Sequence, residues 1–195
     1  MSTIPILPLT LVQSLERRLA TSVALATSPF TGTSQVQDWG GAWWEYELEM
    51  AMSQGAPARQ LSAFFAALGG ARGRFLLRDP SHLAPLGGGV PYVTEVPADR
   101  HTLRTAGWGL GVGAGSFFAL GAGATTRFYQ LTDDVNPLGS EALLRFVPAL
   151  RSLPPMGTIL EVQEPKVLLR LTGPVPTRIT RADSHRFTLS AREAL

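Results

Sequence analysis

The chain has 195 residues, 45% of them apolar and 16% charged, with a formal net charge of +2 and no cysteine. Such a chain can bury a real core, as one sizeable domain or two small ones, and wholesale disorder is excluded. Missing cysteines exclude disulfides and thiolate metal sites, and scattered, nearly balanced charges exclude a basic block that would track a nucleic-acid backbone.

The start, "MSTIPILPLTLV", lacks a charged n-region and carries Pro5 and Pro8, a poor signal peptide. No run reaches the ~18–20 apolar residues that span a bilayer, so the expectation is a soluble, unsecreted chain without membrane insertion. Twenty glycines and fifteen prolines favour a strand-and-turn protein. Residues 11–26, "LVQSLERRLATSVALA", read two ways. Leu11, Leu15 and Leu19 recur at helical spacing, with Thr10 and Gln13 as a capping box, whereas "ATSVALAT" alternates as a strand.

"SPFTGT" is a turn signal: Pro29 presets φ and Gly32 permits φ > 0. A short extended run, "SQVQDW", then ends at Gly40-Gly41. In "WWEYELEMAM", Trp44, Tyr46, Leu48, Met50 and Met52 fall on one side and Glu45, Glu47 and Glu49 on the other. Strict alternation predicts a half-buried strand with its glutamates about 7 Å apart along one face. "PARQLSAFFAALGG" predicts one helix over about 57–68, with Pro57 in the first turn, Leu61, Phe64, Phe65 and Leu68 on one face, and Gly69-Gly70 as the stop. "RFLLRDP" follows as a strand.

From 81 to 115 the composition turns loop-like, with "PLGGGV" and "GWGLGVGAG" reading as an exposed excursion. β patterns return in "SFFAL", "RFYQLTDD" and "EALLRFVPAL", with "NPLGS" as a connection, and again in "TILEV", "KVLLRL" and "HRFTLSA". The predicted fold is mainly β: a sandwich or barrel core of residues 1–79 plus 157–195 with one flanking helix, and a small inserted barrel-like module over 80–156.

Candidate chemistry is thin. Glu45, Glu47 and Glu49 meet the carboxyl spacing of glycosidases, but three equivalent neighbours on one strand face offer no asymmetry of environment, and a solvated or Arg-paired face is preferred. Sixteen of the seventeen basic residues are Arg, whose planar fork suits carboxylates, so Arg178, Arg181 and Arg186 are candidate partners within the sheet or across a subunit joint. Asp79, Ser81 and His82, and Asp183, Ser184 and His185, hold triad residue types too close in sequence for triad geometry, and read as turns. His82, His101 and His185 lack metal-ligand spacing, and "GWGLGVGAGS" lacks a GK[ST]. No catalytic residue, metal or cofactor is expected. Trp108 reads as a core residue or, among its glycines, as an exposed anchor.

The run "TSPFTGTSQVQDWGGAWWEYELEM", then "AFFAALGGARGRFLLRDP", then "FYQLTDDVNPLGSEALLRFVPALRSLPPMG", resembles tail proteins of long-tailed phages and of related gene-transfer agents, most closely the distal tail proteins of siphoviruses. The resemblance implies a non-enzymatic virion component whose ring, usually hexameric, joins the tail tube to the tip hub or baseplate. It implies assembly in the bacterial host cytoplasm, with copies of itself, the tube protein and hub proteins as partners, and a strand near 19–27. A tube or tube-completion protein is the alternative within that class. A host-envelope carbohydrate-binding module, stacking sugars on Trp108 and Tyr92, is the alternative outside it.

Overall fold

The computed structural model describes residues 4–85, 87–180 and 183–195. The elements of the first half are β1 (Val12–Thr27), β2 (Ser34–Met50), β3 (Ser53–Gln54), helix α1 (Gly55–Leu68), β4 (Phe75–Arg78), β5 (Gly89–Val93) and β6 (Thr102–Trp108). Then follow β7 (Phe117–Leu120), β8 (Arg127–Leu131), β9 (Glu141–Val147), β10 (Leu160–Glu161), β11 (Lys166–Leu171), β12 (Thr177–Ile179) and β13 (Ser184–Glu193). The protein is mainly β, with one α-helix among the described residues and two sheets.

The seven-stranded sheet runs β1-β2-β13-β11-β4, with β3 and β12 flanking β13. Its dry face carries the alternating residues of β2: Trp44, Tyr46, Leu48 and Met50 are buried, while Glu47 and Glu49 are exposed. The alternation stops one step earlier than expected, because β2 ends at Met50 and leaves Met52 57% exposed. Helix α1 lies on this dry face through Ala58, Leu61, Phe65 and Leu68, and Phe65 meets Phe187 of β13 with ring centroids 5.5 Å apart. Gly69, at φ 63°, takes the left-handed conformation that ends the helix, a position where a Cβ is costly.

The 11–26 ambiguity resolves as strand, with β1 starting well before residue 19. A spacing of four is also a multiple of two, so Leu15 and Leu19 share a strand face and the helical signal was a subset of the pleat. The "SQVQDW" run is not a separate element either. β2 passes through Gly40-Gly41 at a bulge opposite Ser22, where the register jumps from Thr21↔Ala42 to Val23↔Asp38 and Gly40 has φ 69°.

The Gly-rich stretch between 81 and 115 is not one loop, since it contains β5 and β6. The second sheet, ordered β10-β7-β8-β9-β6-β5, curls almost shut. Its ends meet through a Tyr92–Ile159 bridge, with Val93 N donating to Thr158 O at 2.9 Å and Gly157 N to Val93 O at 2.8 Å. A Cβ on Gly107 would meet Val90 O at 2.6 Å, so glycine there lets β5 close onto β6.

The two sheets share a core because β7 and β8 have two apolar faces. Phe118, Tyr129 and Leu131 fill the barrel with Leu103, Leu144 and Phe146. Phe117, Ala119 and Phe128 point outward onto the first sheet. Trp44 stands between them, edge-on to Phe117 and Phe128 at 6.2 Å, and its Nε1–H donates to Phe128 O at 3.1 Å. The Arg17 guanidinium caps the joint 4.3 Å from the Phe117 ring centre.

Candidate functional site

The hairpin of β1 and β2 is longer than the sheet that holds it. β13 pairs with β2 only from Glu45 to Glu49, so beyond the bulge residues 23–27 and 34–38 pair with each other alone. This ribbon and its turn project on the order of 20 Å at ~3.4 Å per residue. Leu25 faces Val36 directly across it, and both are exposed, as are Val23 and Trp39.

At the tip, Phe30 is 96% exposed on a turn that is itself well tied. Ser28 N donates to Thr33 O at 2.9 Å and Gly32 N to Ser28 O at 3.0 Å. A five-residue apolar display on a two-stranded ribbon is unusual, because free hairpins are marginal in water and single chains seldom expose such runs.

The sheet has two unlike edges. On β4, the N-terminal segment covers the edge, with Leu7 N donating to Leu76 O and Leu76 N to Pro5 O, both at 2.9 Å. On β1, among the described residues, no strand covers the edge beyond β2. A long open edge is a pairing surface.

Of Glu45, Glu47 and Glu49, only Glu45 finds an arginine among the described residues, and it is one that sequence reasoning missed. Arg18, directly opposite on β1, places Nε 2.6 Å from Glu45 Oε2, and Trp43 Nε1–H donates to Oε1 at 2.9 Å. The Trp43 hydrogen bond first, then Arg18, hold the Glu45 carboxyl below the usual range. Period-two spacing in both strands carried the signal for this pair, but the register did not exist in the sequence. Glu47 faces Glu16, and Glu49 faces Ser14, whose Oγ–H donates to it at 3.3 Å. Arg178 and Arg186 face each other across β12 and β13 rather than any glutamate. Arg181 lies outside the described residues.

Trp108 is not an exposed anchor. It is 5% exposed at the end of β6, packed in the barrel interior, with Nε1–H donating to Thr105 Oγ1 at 2.8 Å. Of the two sugar-stacking candidates, only Tyr92, 42% exposed, reaches the surface.

The two triad-like clusters are otherwise engaged. Asp79 is buried and accepts from Arg17 Nη1, from Ser81 N at 2.9 Å, from Ser81 Oγ at 2.6 Å and from Tyr46 OH at 3.3 Å. His82 spends both ring nitrogens on backbone: Nδ1 accepts from Phe117 N at 3.3 Å, which leaves the proton on Nε2 to donate to Val162 O at 2.9 Å. Burial holds its pKa below the ordinary histidine value. His185 Nε2 meets Asp183 Oδ1 at 3.0 Å, and its Nδ1 and the Oγ of its cross-strand neighbour Ser53 are sealed from solvent with no hydrogen-bond partner among the described residues. Among the described residues, no three His, Asp or Glu gather as a metal site, and no helix is long and apolar enough to cross a membrane.

A shallow groove of about 450 Å³ sits in the elbow between the ribbon base (Leu19, Val23, Ala42) and the barrel (His101, Val147, Pro148). Sequence comparison adds no identity: no family model matches the chain, and no curated protein matches its sequence.

Proposed function

We propose that this chain is a structural assembly subunit that closes into a ring with copies of itself, and that the ring belongs to a phage tail tip, between tube and hub. The observation that carries the reading is the projecting β1–β2 ribbon, with Leu25, Phe30, Val36 and Trp39 exposed above an open strand edge. Phe30 and Trp39 alone leave about 300 Å² of ring surface in water. At ~25 cal/mol per Å², covering it is worth roughly 8 kcal/mol before the costs of association.

A ring joint needs two different, complementary faces per subunit. The projecting apolar ribbon and the concave elbow where its base meets the barrel are two such unlike surfaces. The resemblance to distal tail proteins supplies the biological setting, with the tail tube and hub or baseplate proteins as neighbours in the virion. A carbohydrate-binding role has less support, since Trp108 is buried and Tyr92 is left without the second stacking ring that reading paired it with.

Light-scattering mass and negative-stain images of the purified chain test the reading. Wild type forms rings, and the Leu25→Ser/Phe30→Ser/Val36→Ser variant stays folded and forms none. A wild type that stays monomeric at on the order of 100 µM, or variant rings indistinguishable from wild type, overturns it. Immunogold labelling of intact particles tests the setting, with label expected at the tube–tip junction.

A further inference from the structure

The outer face of the seven-stranded sheet sets several like charges side by side. Three cross-strand pairs set like charges directly opposite: Glu16 with Glu47, Arg170 with Arg192, and Arg178 with Arg186. Like charges in that position destabilise a sheet. Among the described residues, none of the six has an oppositely charged side chain within 4.0 Å. At the seam between the two halves signs do alternate: Glu45 lies between Arg18, which it pairs at 2.6 Å, and Arg192, which stays beyond 4.0 Å.

The pairs are also segregated. Glu16, Glu47 and Glu49 occupy the β1–β2 half of the face. Arg170, Arg178, Arg186 and Arg192 occupy the β13, β11 and β12 half, and among the described residues no strand or helix covers either half.

We propose that this face is a docking surface for a second copy of the same chain, related by a two-fold axis parallel to the strands. Such an axis exchanges left and right halves, so each acidic half lies over the partner copy's arginine half and the contact occurs twice. An axis across the strands would set acid on acid. Successive outward positions are ~6.6 Å apart along a strand, within reach of an arginine fork from the neighbouring row. The contact goes beyond the ring reading and is separate from it: the ribbon closes a ring sideways, whereas this face joins two subunits, or two rings, back to back.

The test is charge-swap complementation on the full chain, read by native mass and light scattering. A basic variant, Glu16→Arg/Glu47→Arg, and an acidic variant, Arg170→Glu/Arg192→Glu, change solvent-accessible positions one outward row apart, and circular dichroism checks their folding. Wild type in about 0.1 M salt shows a species of doubled mass, which is lost in about 1 M salt, where screening shortens to ~3 Å. Each variant alone loses the doubled species, and an equimolar mixture restores it with the two chains at one to one. Retention of the doubled mass by either variant, failure of the mixture to restore it, or no doubling in wild type overturns the proposal. The ribbon variant separates the two readings, since it abolishes rings and keeps the back-to-back pair.

Discussion

Trp44 joins the two sheets, and its removal gives a calculable loss. It is 3% exposed, so nearly the whole side chain is out of water. An indole buries up to ~250 Å² and alanine keeps only the Cβ, so Trp44→Ala returns about 200 Å², or roughly 5 kcal/mol at ~25 cal/mol per Å². A compact unfolded chain trims that by about a quarter. The lost hydrogen bond to Phe128 O adds ~1 kcal/mol. The expected cost is therefore about 4–5 kcal/mol, in the range for large-to-small aromatic truncations.

Trp44→Phe keeps most of the area and forfeits the hydrogen bond, for a cost of about 2 kcal/mol. Area thus outweighs the polar contact by more than two to one. Urea unfolding followed by far-UV circular dichroism and by tryptophan emission measures both numbers. Because the core is shared, the two probes shift together. A loss below about 1.5 kcal/mol for Trp44→Ala, or barrel and sheet transitions that separate already in wild type, refutes the shared-core account.

Asp79→Ala removes the acceptor for Arg17, Tyr46 and Ser81 in a buried position and costs about 3–5 kcal/mol, read from the same urea curves. Glu193 is buried at the junction near Arg151, and burial raises its carboxyl pKa above the ordinary value despite that arginine. The native state therefore holds the proton more tightly than the unfolded chain. Its contribution is fully present below the unfolded pKa and is lost as pH climbs through the raised folded value. Relative to wild type, Glu193→Gln gains in urea midpoint across that interval and then stays level; a difference that shrinks with rising pH contradicts the assignment.

The two turn-like clusters show where local sequence was sufficient. Asp79 caps the turn at Ser81, as short-range Asp and Ser chemistry dictates. What gives Asp79 its weight is Arg17, 62 residues away, and no spacing rule connects them. Helix α1 was legible for the same local reason: an apolar stripe, a proline in the first turn and a left-handed glycine stop are all written within one stretch of chain.

The period of an element is a property of consecutive residues, so the alternation around Tyr46, the single helix and the strands from "SFFAL" onward were settled by sequence. Register and burial belong to pairs of distant segments, so only the tertiary structure decided them. It set Glu47 against Glu16 rather than an arginine, drew the glycine-rich stretch into a barrel wall and sealed Trp108 inside. It also left the ribbon uncovered, because β13 pairs with β2 no further than Glu45 and, among the described residues, no strand covers the apolar residues beyond it.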